Sequence, residues 1–65
     1  MRFIVHEKAT DTTVSFKASK ANRTLFALIE VIAGMQAAIN AICWAEIAGY
    51  GEVYENATFK ITAEE

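Results

Sequence analysis

LFALIEVIAGMQAAINAICWAEI, running from Leu25 to Ile47, is the stretch on which the reading of this chain turns. Its 23 residues include one glycine, no proline and only two charges, Glu30 and Glu46. A segment so poor in charge has to be buried on more than one side. Asn22 is a good N-cap, and Gly49 and Gly51 supply a left-handed stop, so these signals predict one helix over residues 23 to 48. At a rise of 1.5 Å per residue, such a helix would run about 39 Å.

Helical spacing gathers Leu25, Leu28, Val31, Ile32, Met35, Ile39, Ile42 and Cys43 on one broad face, the natural candidate for the protein's own core. The opposite face offers small residues where a solvated helix would carry Lys and Glu. Phe26, Ala33, Gly34, Ala37, Ala41, Trp44 and Ala48 are therefore the candidate interface, a seam where small side chains let another helix approach. Gln36 and Asn40, one turn apart, interrupt the apolar surface and can hydrogen-bond across such a pair. A solvated alanine face is the plain alternative. A single membrane span is the minor one, since Leu25 to Ala45 carries a single charge over 21 residues. Glu30, Gln36 and Asn40 within the stretch, and the lack of aromatic belts at its two ends, weigh against the span.

The flanks read as strands. Arg2 to Glu7 and Thr12 to Ser19 form a hairpin around Lys8-Ala9-Thr10-Asp11, with Phe3 opposite Phe16 and Val5 opposite Val14. Glu52 to Ala63 alternates as one long third strand, with Val53, Ala57, Phe59 and Ile61 on one face and Tyr54, Asn56, Lys60 and Thr62 on the other; Glu64 and Glu65 form a frayed acidic end. The expected fold is α+β, a single ββαβ domain over residues 1–65: a three-stranded antiparallel sheet of order 2-1-3 with one long helix packed on one face. A rival order 1-2-3 would make the second and third strands parallel through a right-handed crossover.

A chain of 65 residues buries only about 60% of its unfolded surface, so a hydrophobic content of 54% points to association as the missing source of stability. The lone Cys43 has no partner for an internal disulfide and suits a reducing compartment. No leader pattern precedes the first strand, and the expectation is cytoplasmic. The net charge of −2 argues against nucleic acid as a partner, although residues 1–24 carry +3 and residues 25–65 carry −5.

For chemistry the chain offers little. In the expected topology Glu7, Glu46 and Glu55 can converge at one end of the sheet as a candidate acidic cluster, with raised pKa values or a cation between them; the plain alternative is that they sit at element ends, reach solvent and mark the rim of the core. His6 falls on the polar sheet face near Tyr54, with no Ser, Cys or Asp at a spacing that would make it a base. There is no phosphate loop, metal-ligand spacing or nucleophile elbow, so no catalytic residue, metal ligand or cofactor is expected. The reading that results is a small acidic binding module that self-associates through its helix as a homodimer or higher closed oligomer and acts on another protein, as an inhibitor or adaptor does. The alternatives are an oligomer that traps a small molecule and a small enzyme with its site at a subunit interface.

Overall fold

The computed structural model describes residues 1–64 and is α+β, with a four-stranded sheet on one side and two helices on the other. Strands β1 (Arg2–Glu7) and β2 (Thr12–Lys17) form the expected hairpin in the expected register, Phe3 opposite Phe16 and Val5 opposite Val14. A 3-10 turn (Ala18–Lys20) and a wider π-type turn (Ala21–Leu25) lead into the helices. The backbone is therefore already helical before Asn22. The side chain of Asn22, the expected cap, lies outside the described residues, as does Glu65.

The single long helix is corrected to two: α1 (Phe26–Ala33) and α2 (Met35–Ile47), parted at Gly34. A straight helix of about 39 Å would overrun the molecule, whose greatest extent is 26 Å. Gly34 makes the break by adopting φ 95° and ψ 172°, a region essentially closed to residues with a Cβ. Backbone pairing survives the break, because the Gly34 N–H donates to the Glu30 carbonyl at 3.0 Å and the Gly34 carbonyl accepts from the Ala38 N–H at 3.1 Å. The candidate membrane span is cut at the same place. Among the described residues no helix is long and apolar enough to cross a membrane.

The expected third strand is also corrected to two, β3 (Val53–Glu55) and β4 (Phe59–Glu64), in a sheet of order β2-β1-β4-β3 with every pairing antiparallel. Asn56 turns the chain: its Oδ1 accepts from the N–H groups of Thr58 (2.8 Å) and Phe59 (3.0 Å), while its own N–H donates to the Phe59 carbonyl at 3.0 Å. β4 takes the place beside β1 that the 2-1-3 order assigned to the third strand. β3 folds back outside it as a new edge. This reversal shifts parity, so Tyr54 shares the inner face with Ile61, while Val53 and Glu55 turn outward with Thr62 and Lys60.

The core between sheet and helices is built from Phe3, Val5, Phe16, Phe59, Ile61 and Ala63 on the strands, with Leu25, Ile29, Ala38 and Ala41 above them. Trp44 lies over Phe3 at 5.9 Å between ring centroids and over Tyr54 at 5.7 Å, and Tyr54 stacks on Phe59 at 6.0 Å. Apart from Trp44, the large rings come from the sheet, and the small Ala38 and Ala41 on α2 let the helix approach them closely. Large-against-small layering of this kind fills a core without voids.

Candidate interaction surface

That packing divides each of the two expected faces of the helical layer. Ala38 and Ala41 are 0% exposed, while Ala37, Ala45, Ala48, Trp44 and Phe26 are half-buried against the core. Of the candidate seam, only Ala33 and Gly34 are exposed. Ala41 and Trp44 already serve the protein's own interior and leave little surface for a second helix. The face assigned to the core divides as well: Leu25 is buried and Leu28, Ile32 and Ile42 are half-buried, but Val31, Met35, Ile39 and Cys43 look outward. The break at Gly34 is the physical reason, because it resets the helical phase and each helix then finds its own inward face.

What remains outside is an apolar row. Met35 is 60% exposed, Ile39 41% and Ile47 82%, and exposed Cys43 completes a series spaced every four residues along α2. Val31, at 86% exposed, is a further exposed apolar side chain on α1, before the break. Gln36 and Asn40 run alongside, joined by a 3.2 Å hydrogen bond from Gln36 Nε2 to Asn40 Oδ1. Single exposed apolar residues are ordinary on protein surfaces, whereas this row sets four of them along one helix.

The opposite side of the molecule, the outer face of the sheet, is polar. A shallow depression there is lined by Ile4, His6, Lys8, Thr13, Glu55, Lys60 and Thr62. His6 lies between two partners, Nε2 at 3.1 Å from Asp11 Oδ1 and Nδ1 at 3.4 Å from Thr13 Oγ1. The hairpin register brings Thr13 opposite His6, and Asp11 reaches it from the loop at a φ of 55°. Sequence spacing missed this trio because it joins a strand to its own turn. The Asp11 side chain is 88% exposed, so water competes for every contact it makes and the group lacks the enclosure that acid–base chemistry draws on. Tyr54, expected beside His6, is on the inner face.

The expected acidic cluster does not form. Glu7 keeps the inward parity of Phe59 and lines a small notch with Val5, Val14, Leu28 and Ile32. Glu55 faces the other way, 2.9 Å from Lys8 Nζ, and that lysine also donates to the Asn56 carbonyl at 2.6 Å. The hydrogen bond and charge of Lys8, aided by Lys60, pull the Glu55 carboxyl below its usual value, where a carboxylate cluster would have pushed it up. Glu46 is exposed on the last turn of α2. Among the described residues no group of three or more His, Cys, Asp or Glu is placed to hold a metal ion. No family model, curated protein or solved structure matches this chain.

Proposed function

We propose that this chain is a small non-enzymatic binding module of the cytoplasm that self-associates through its helical layer and acts by protein–protein interaction, in the manner of an inhibitor or adaptor. The observation that carries the reading is the outer row of α2, Met35, Ile39, Cys43 and Ile47, which leaves large apolar side chains in water on a molecule whose described core holds only ten buried apolar residues. Covering that row recovers apolar burial the protomer cannot supply alone, at about 25 cal/mol per Å². A standard interface takes about 800 Å² from each partner, roughly a fifth of the 4036 Å² that this molecule exposes.

Light scattering after size exclusion tests the proposal on the wild type and on Ile47→Lys. A lysine in the last turn of α2 suits the helix dipole and replaces a side chain that is 82% exposed, so the protomer keeps its fold. The wild type is expected to run as a dimer or larger closed oligomer and the variant as a folded monomer. A wild type that stays monomeric at every concentration contradicts the proposal.

A further inference from the structure

We infer that the free edge of β2 takes up an extended segment of another protein as an added antiparallel strand, with an acid of that segment level with Lys17 and a base level with Asp11. This site rests on the reading of the chain as a protein-binding module and makes no use of the helical row. β2 pairs with β1 in an unbroken register, and just past its end the Ala18 N–H donates to the Met1 carbonyl at 3.0 Å. Alternation back from Ala18 turns the N–H and C=O groups of Phe16, Val14 and Thr12 toward β1, and those of Lys17, Ser15 and Thr13 to the outside. The sheet order leaves β2 at an edge, and every residue of it except Phe16 is exposed. Proteins blunt such edges with short strands, bulges, proline or charge. The other edge, β3, is blunted in this way, with three residues and Glu55 held by Lys8 at 2.9 Å. β2 has six residues, no proline, no bulge and no charge before Lys17. An added strand satisfies its free backbone groups and leaves selectivity to alternate side chains.

Those side chains set the chemistry of the segment. On the outer face Lys17 stands opposite Arg2, a like charge, and makes no ion pair among the described residues. Asp11 lies on the same face at the other end of the strand, where its side chain reaches His6 yet remains 88% exposed. An antiparallel segment that carries an acid toward its N-terminus and a base toward its C-terminus, spaced as Lys17 and Asp11 are, meets both. The same segment laid parallel would set its acid beside Asp11 and its base beside Lys17. On the inner face Val14 is 39% exposed and borders a notch with Leu28 and Ile32 of α1, so a β-branched side chain level with Val14 gains apolar cover.

Titration of the isotope-labelled protein with the capped peptide Glu-Thr-Thr-Val-Thr-Thr-Lys, followed by amide chemical shifts, tests the site. Saturable shifts are expected at Thr13, Ser15 and Lys17, whose N–H groups meet the new strand. The peptide with its charged ends exchanged, Lys-Thr-Thr-Val-Thr-Thr-Glu, should bind about two- to tenfold more weakly, because both end pairs become like charges. Lys17→Glu should erase the difference between the two peptides. Ser15→Pro removes an outward N–H that the protomer does not use, so circular dichroism should show the fold kept while both peptides lose binding. An absence of saturable shifts on β2, unchanged binding by folded Ser15→Pro, or a difference between peptides that survives Lys17→Glu overturns the inference and leaves self-association standing. Shifts of the same amides on dilution without peptide would give the edge to a second copy, and overturn it too. A monomeric wild type that binds the first peptide at β2 overturns self-association alone.

Discussion

Along α2, Ala38 and Ala41 are fully buried, while Ile39 and Ile47, each several carbons larger, stand 41% and 82% exposed. Size alone would place these residues the other way round. The difference follows from what lies beneath the helix: Phe3, Phe16, Phe59 and Tyr54 from the sheet, with α2's own Trp44 laid over Phe3 and Tyr54, already fill the space there, and methyl-sized side chains take the positions between. The inward side of a helix is thus set by the volume left over, and apolar bulk that finds no room inside becomes available to a partner.

The sharpest way to break this comparison is to place one charge on each face. Ala41→Arg forces an unpaired guanidinium into a fully buried site, at a cost on the order of several kcal/mol, which approaches the whole stability of a domain this small. Loss of the cooperative melt by circular dichroism is expected. Ile39→Arg, two residues earlier, should leave the melt of the protomer within about 1 kcal/mol of its monomeric value and act on association instead. Equal destabilisation by the two changes would mean that the faces are not distinct.

Gly34 parts α1 from α2 and so sets which side of α2 faces inward, and Gly34→Ala comes next in size. An added Cβ would meet no atom within 4 Å, so the penalty is one of backbone conformation alone, about 1–3 kcal/mol by urea titration. A neutral or stabilising result would show instead that residues 26 to 47 prefer the continuous helix.

The smallest effect belongs to the outer face of the sheet, where charge is paired in water. Lys8 holds the Glu55 carboxyl below its ordinary 4.5, so the unfolded chain takes up the proton first as pH falls. This contribution is complete above that value and is lost as pH drops through the lower folded value. Lys8→Met should flatten the slope of stability against pH in that acid window, with a small loss at neutral pH that vanishes as the two proteins converge in acid. An unaltered acid limb would show that the pair is absent in solution.

The hairpin was legible because Phe3, Val5, Val14 and Phe16 share one face in only one register, and β4 was legible from Phe59 and Ile61. The two reversals were not. Gly34 sits in an alanine-rich helical pattern that tolerates an isolated glycine, and only the limited length of the sheet beneath demands a break there. Asn56 turns the chain without any glycine or proline, through its own side-chain carbonyl, and Val53 beside Tyr54 lets either residue face inward. Those two hidden turns account for the misplaced seam, for Glu55 on the wrong face and for the dispersed acids. The apolar bulk of α2 was plain in the sequence, but its direction depended on the break.

The outward direction of that row, and its cover by a second chain, can be read from one thiol. Cys43 is exposed on the protomer and lies in the middle of the proposed contact. Its rate of alkylation by a maleimide, followed across protein concentrations from well below to well above the association midpoint, is expected to be fast when dilute and to slow severalfold as the row is covered. A rate that stays fast at every concentration would contradict the account, and a rate that is slow at every dilution would place Cys43 inside the protomer.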